Sequence, residues 1–415
     1  MIVPQEIAET VVDPKAYADG RIHEAYRWLR RNAPFAKIAP AGYDPFWIVT
    51  RQADIMAVEV QSDLFCNSQG LPAITSNEMR AQLGDRPGGF RTIVSMDGVE
   101  HQAYRRLTQG ALMPKTLRIL EGRIREIARV FIEKMAQTGG RCDFAQDVAF
   151  LYPLRVVMEV LGVSEKDEAF WLTLTQAGNT QNSKGTHAQM DDTARAEAMK
   201  QYLTGLNNYF VDIITDRRAN PREDMATRIA NGEIKGELIG NMEAMGYYII
   251  FASAGHDTTS ASTAGGMAAL AGDPEQFRKL KDNPVLIPGY VEESIRWVAP
   301  VKHFARTVTA DTEFNGQQLA KGERLMLCFA SGTRDEDAFT DPDRFDIERS
   351  PNRHVGFGYG PHLCLGQHLA KLEMRIFWEE LLPRLQNVEL DGPVIHPETT
   401  SIAGPQSVPI KFVMS

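Results

Sequence analysis

The sequence predicts a mainly α protein with minor β structure, and three observations carry that reading. Helical periodicity dominates from about residue 98 to 297. One apolar stretch, Ala244 to Ala271, is long enough for a buried helix, yet it holds His256 and Asp257 at its middle, which argues against a membrane span. The strand patterns are short and flank the helical part.

Along the chain, PFAKIAPAGYDPFWIVTR (34–51) reads as a hairpin, with alternation in its second arm and a Gly-Tyr-Asp-Pro turn. Residues 67–98 are irregular and rich in glycine and polar groups, as functional lids often are. Helices are expected at 98–112, 115–137, 144–161, 164–178, 190–217, 236–271, 273–281 and 287–297. Short strands are expected at 303–309, 312–314 and 324–327, and an irregular stretch, 331–356, leads into GFGYGPHLCLG. A helix follows in GQHLAKLEMRIFWEELLPRL, and TSIAGPQSVPIKFVM closes the chain with strand pairing. No repeat or linker divides residues 1–415, so one domain is expected.

Composition is that of an ordinary globular protein: 43% hydrophobic and 24% charged over 415 residues. A net charge of −9 gives no basic signature, so nucleic acid is not an expected partner. The opening stretch is polar and acidic, which leads us to expect a cytoplasmic protein with no leader or anchor. Cys66, Cys142, Cys328 and Cys364 lie far apart, form no C-x-x-C pair and suggest neither zinc nor a disulfide framework.

Only Cys364 has surroundings that ask for a chemical explanation. Glycines precede it, which suits a backbone bent into restricted conformations or brought close to something bulky. The helix after it aims free N–H groups at the sulfur, a placement that favours thiolate. In FASAGHDTTSAS (251–262), small residues leave room for a flat group against the helix. Asp257 and Thr258 are poor helix-interior residues, so they read either as a polar bend facing water or as an acid–alcohol pair that passes protons. Glu293 and Arg296 share one helix face, where an exposed pair would mean little; Arg344 could complete a buried network. His101 and Arg105, four apart, together with Arg306, His354 and His362, would suit an anionic cofactor with two carboxylates. Each alone is more often an ordinary surface or core residue.

FGYGPHLCLG resembles the haem-loop signature of the cytochrome P-450 monooxygenases at Phe357, Gly360, His362, Cys364 and Gly366. AGHDTT is similar to that family's oxygen-activating helix, and Glu293-x-x-Arg296 to its structural pair. The three occur in the family's order, across nearly the whole chain. SAGHDTTS, APVKHFARTVTADTEFNG and PHLCLGQHLAKLEMRIFWEELLP look most similar to the soluble bacterial members that hydroxylate α-terpineol.

The resemblance implies a large helical domain with small β-sheets around a buried haem b, with Cys364 as the iron ligand, Phe357 packed beside the sulfur and Gly366 in the cofactor loop. It implies that His101, Arg105, Arg306, His354 and His362 meet the haem carboxylates, and that Asp257 and Thr258 are catalytic in oxygen activation. Glu293, Arg296 and Arg344 would be structural. Substrate-access regions would be 67–98 and 165–205. Ile249, Ile250, Ser253, Ala254, Val301, Phe304 and Ile402 would line the pocket, with Leu71 to Ile74, Leu83, Phe90 and Trp171 to Thr180 as further candidates. The implied reaction is hydroxylation of a small hydrophobic substrate, a monoterpenoid or aromatic hydrocarbon, by dioxygen and two electrons. No flavin, nicotinamide or iron–sulfur motif is present, so a 2Fe-2S ferredoxin and its NAD(P)H-dependent reductase would supply the electrons. That ferredoxin would meet a monomer at Arg105, Arg106, Lys115, Arg353 and Lys371. The rival readings are a peroxide-driven peroxygenase, a haem-binding sensor without catalysis, and a cysteine hydrolase.

Overall fold

The computed structural model describes residues 2–83, 91–177 and 192–415. Its axis is the helix Asn241–Gly272, which runs through the apolar stretch the sequence singles out. Small residues let neighbours close on it. A Cβ on Gly266 would lie 2.5 Å from both Ser294 Oγ and Tyr290 Oη, and one on Gly255 2.9 Å from Val157. The helices Ile287–Val298 and Leu151–Leu161 therefore sit hard against the axis at different heights along it. Tyr247 ties the axis to the helix Gly98–Gln109: its hydroxyl donates to Tyr104 O at 3.1 Å and meets Thr108 Oγ1 at 2.7 Å. No helix among the described residues is long and apolar enough to cross a membrane.

The larger sheet has five strands: β1 (Phe35–Ile38), β2 (Phe46–Val49), β3 (Phe65–Cys66), β4 (Phe304–Val308) and β5 (Arg324–Leu327), in the order β1-β2-β5-β4-β3. β1 and β2 form the expected hairpin, β5 runs parallel to β2, and β4 pairs antiparallel with both β5 and β3. β4 thereby carries Arg306 into the interior, where it is 3% exposed. The loop after β3 is pinned onto β4: Ala305 N–H donates to Pro72 O at 2.7 Å, and Ile74 N–H to His303 Nε2 at 3.2 Å.

Several expected elements differ in extent: the helix expected over 115–137 is broken by a 3-10 turn at Arg118–Leu120, and the stretch 67–98 holds a short helix, Asn77–Leu83. The helix expected over 236–271 starts at Asn241, because Lys235 and Gly236 take positive φ (55° and 83°) and turn Glu233–Ile234 onto Glu237–Leu238. The helix expected over 144–161 is divided: a π-helical turn, Ala145–Ala149, precedes Leu151–Leu161. The last helix, Gln367–Leu381, stops before Pro383, and Leu385–Leu390 pairs as a strand with Pro409–Met414, which also pairs with Arg141–Asp143.

Candidate functional site

Cys364 lies at the end of a loop that can be built only with glycine at two points. Gly358 and Gly360 have φ of +71° and +64°, and a Cβ on Gly360 would stand 2.8 Å from the Glu59 carbonyl oxygen. Cys364 N–H donates to Phe357 O at 2.9 Å, which folds the sulfur under the loop. The amides of Gly366 and Gln367, at the start of the following helix, donate to the sulfur as the sequence suggests. Burial is nevertheless the larger influence and pushes the Cys364 thiol up; the two amides, Arg105 and Lys371 offset it only in part. A metal ion bound at the sulfur would further favour the thiolate that the helix placement suggests.

A cavity opens between this loop and the axial helix. Cys364, Phe357 and Leu365 wall one side; Ala254 and Thr258 face them from the other. Its edge is cationic. Arg306 Nη2 donates to Glu59 Oε1 at 2.9 Å, and Arg105 Nη2 donates to Leu363 O at 2.8 Å with no carboxylate partner. His362 Nε2 is buried without a hydrogen bond, 3.5 Å from Asp97 Oδ1, and its ring stacks on His101 at 4.0 Å. Burial, then the neighbouring His362 and Arg105, depress His101 to about 4. Burial alone would raise the Asp97 carboxyl; His362 and the amides of Asn67 and Ser68 outweigh it and hold Asp97 below the usual carboxylate range. A flat apolar group with anionic substituents fits this chamber. The apolar walls match its faces, the soft sulfur suits a transition metal, and Arg105, without a carboxylate partner among the described residues, and His362 Nε2 can donate to its substituents.

Thr258 Oγ1 donates to Ala254 O at 2.8 Å, leaving its lone pairs toward the cavity it lines. Asp257 does not line the cavity. Its carboxylate lies 3.2 Å from Nδ1 of His256, whose Nε2 donates to Phe150 O at 2.6 Å just after the π-helical turn.

Several expected site residues are placed elsewhere. His354 does not reach the cavity: Glu292 Oε2 meets its Nε2 at 3.2 Å, and Gly356 N–H donates to its Nδ1 at 3.1 Å. Arg344 gives the Glu293–Arg296 network only its carbonyl, because its side chain is exposed; Arg349 supplies the guanidinium, at 3.2 Å from Glu293. Of the pocket candidates, Ile250, Ala254, Val301 and Phe304 line the cavity. Ser253 Oγ turns back to Ile249 O, Ile249 packs into the core, and Ile402 pairs with Val301 in an isolated bridge. Leu71 to Ile74 are held against β4 and Trp171 is core, fully buried. Phe90 and residues 178–180 lie outside the described residues, as does the Leu83 side chain.

The sequence reading missed Glu59, Asp97 and Glu373. Glu373 stands at an apolar position between Leu369 and Phe377, which is a readable signal; buried beside Thr259, its carboxyl is pushed far up by burial and Oε2 has no partner. Asp97 directly precedes a helix, while Glu59 ends one and gives no signal.

Residues 285–407 match the family model described as Cytochrome P450. Over 99% of its length and 98% of the relative's, the chain is 44% identical to Cytochrome P450-terp of a Pseudomonas species. It is 32% identical to linalool 8-monooxygenase of Pseudomonas putida, covering 91% of this chain and 92% of that one. The crystal structure of CYP108D1 from Novosphingobium aromaticivorans superposes with a TM-score of 0.92 at 40% identity, over 100% of both chains.

Proposed function

The chain belongs to the cytochrome P450 family, and from that premise we propose that this P450 monooxygenase hydroxylates a small monoterpenoid or aromatic hydrocarbon with electrons from a 2Fe-2S ferredoxin. The observation that carries the substrate class is the wall of the cavity near Thr258. Ile250, Phe251, Ala254, Val301 and Phe304 are apolar, and among the described residues no side-chain donor is left over there to hold a substrate hydroxyl. Such a wall selects by size and shape. The names of two relatives, P450-terp and linalool 8-monooxygenase, agree with a terpenoid-sized substrate.

Haem, held by Cys364 through iron, supplies dioxygen activation with two electrons and two protons and the insertion of one oxygen atom into a C–H bond. The chain does the rest. Arg306, Arg105, His101 and His362, which line the cavity, would hold the two carboxylates by charge-assisted hydrogen bonds. Phe357 covers the sulfur against water, and the amides of Gly366 and Gln367 fix its orientation. Thr258 presents a hydroxyl that can pass a proton into the cavity. Asp257, with 19% of its side chain exposed, stands between that hydroxyl and solvent.

Carbon monoxide added to the reduced protein tests the assignment. A strongly red-shifted Soret band is expected, followed by a high-spin shift on titration with terpene and alkylbenzene hydrocarbons, at lower concentration than with their alcohols. A carbonyl band of the histidine type would remove Cys364 as ligand; tighter binding of the alcohols would remove the hydrocarbon preference.

The ferredoxin is placed on the cysteine side. Exposed Arg118 lines a groove with Leu117, Val291 and Leu372, and Arg106, Lys115 and Arg353 are exposed as well. Two residues leave the expected patch: Arg105 turns inward, and Lys371 Nζ is paired with Glu292 at 2.7 Å. Charge reversal at Lys115 together with Arg106 is expected to raise the KM for ferredoxin severalfold at low salt, with kcat at saturation kept. The effect should shrink as salt screens it. A KM unmoved by the double reversal, measured by stopped-flow reduction, places the docking face elsewhere.

A further inference from the structure

We propose that Glu59 takes up a proton when the cofactor's two carboxylates settle against Arg306, which ties reduction of the loaded site to proton uptake. This rests on the haem reading above and adds an acid that none of the family motifs contains. Glu59 is 3% exposed and lines the cavity. One carboxyl oxygen accepts from Arg306 at 2.9 Å and the Tyr359 amide lies against the carboxyl, while Oε2 is buried with no hydrogen-bond partner among the described residues. An ionised carboxylate left in that condition is costly, whereas a carboxylic acid has a hydrogen to donate from the unpartnered oxygen.

Charge balance at the cavity edge points the same way. Among the groups that face Glu59 and Arg306, Arg306, Arg105 and Arg324 (on β5) are cations and Asp97 is an anion, held so by its amide donors. Cys66 on β3 is buried and kept as a thiol, and the helix Phe329–Gly332 packed against Gln52–Glu59 carries no ionisable side chain. His101 is held neutral, and its ring overlaps that of His362, so the two cannot both charge cheaply. With Glu59 ionised, this edge carries no more than a single net positive charge before any ligand arrives. Two further carboxylates would leave it net negative in a half-buried setting, and a proton on Glu59 relieves that charge. Burial, opposed by Arg306 and the Tyr359 amide, already raises Glu59 to about 7. Carboxylates that compete for Arg306 remove the main opposing influence and raise it further.

The sign for reduction follows from Coulomb's law. An added electron favours the protonated acid, so the reduced protein keeps the proton to higher pH than the oxidised one. The potential therefore falls as pH rises between those two limits and is flat outside them.

Potentiometric titration across neutral pH of the haem-loaded wild type, Glu59→Gln and His362→Gln tests this. Expected is a falling potential in wild type and His362→Gln and a flat one in Glu59→Gln, with the thiolate carbonyl band present in all three. Equal slopes in wild type and Glu59→Gln, with haem bound in both, overturn the role of Glu59 and leave the haem reading intact. Absence of haem from wild type overturns the haem reading itself. Should Glu59→Gln not load, the reduced-minus-oxidised infrared spectrum of wild type labelled with ¹³C-glutamate decides. A labelled carboxylic acid band that changes on reduction supports the proposal; no such band overturns it.

Discussion

In a Thr258→Ala variant, most reducing equivalents are expected to appear as hydrogen peroxide instead of alcohol, while haem content, the carbonyl band and hydrocarbon affinity stay at wild-type levels. The helix itself loses nothing by the change. Thr258 Oγ1 spends its hydrogen on Ala254 O, one turn back, and alanine is the better helix former. What disappears is one of the two hydroxyls that the DTT run brings to the cavity that Cys364 also lines; the other, on Thr259, is bonded to the buried Glu373, and Asp257 is turned to His256. A positioned proton donor is worth about 10²–10⁴-fold in rate, so loss of the hydroxyl is expected to lower the hydroxylation rate by at least the low end of that range. Thr258→Ser, which keeps the oxygen, should recover most of it. Product, peroxide and NAD(P)H consumed, measured in one reaction, check the partition. An alanine variant with wild-type coupling would show that protons reach the cavity by another path.

The parts of this site that were legible in the sequence are those whose chemistry is written locally. Gly358 and Gly360 stand next to Cys364 in the chain, and their left-handed backbone is what lets the loop pass under Glu59. The hairpin Phe35–Val49 is likewise local, since its register follows from alternation and a turn of Gly, Tyr, Asp and Pro. Distant pairings are another matter. Arg306 was visible as a candidate partner of the cofactor carboxylates, but its own partner Glu59 lies 247 positions away and ends an unremarkable helix. His354 was grouped with the carboxylate partners because it precedes the glycines; Glu292, on another helix, takes it instead. Arg344 and Arg349 are five apart in one irregular segment, and only the packed chain shows which guanidinium turns inward. The π-helical turn that sets Phe150 O against His256 also escaped, because its 3.6-residue hydrophobic pattern continues straight through it.

Substituting Arg296 with leucine is expected to cost about 3–5 kcal/mol, the range for removing one partner of a buried ion pair. That is a large fraction of the 5–15 kcal/mol that typically holds a domain together, so little haem-loaded protein should survive purification. The size of the effect comes from how completely this network is closed. Arg296 and Glu293 are both 0% exposed and joined by two parallel hydrogen bonds of 2.7 Å. The remaining Arg296 donors satisfy the carbonyls of Thr333, Pro342 and Arg344, while Glu293 also accepts from Asp346 N–H, Arg349 and Asn352. Leucine fills some of the volume but strands the carbonyls of Thr333 and Pro342, while Arg344 O keeps Arg349, and among the described residues it leaves Glu293 with Arg349 as its sole cation. Lysine keeps the charge without the planar fork, so Arg296→Lys should fall between leucine and wild type. The loss should reach the active site early. The carbonyls that Arg296 holds lie in 333–344 and the Glu293 donors in 346–352, which lead directly into the Gly356–Cys364 loop. Under urea, the thiolate carbonyl band of either variant should therefore fade before far-UV helicity, whereas in wild type the two should fade together. An Arg296→Leu protein with the wild-type midpoint would mean that Arg349 alone suffices to organise the chain beneath the sulfur.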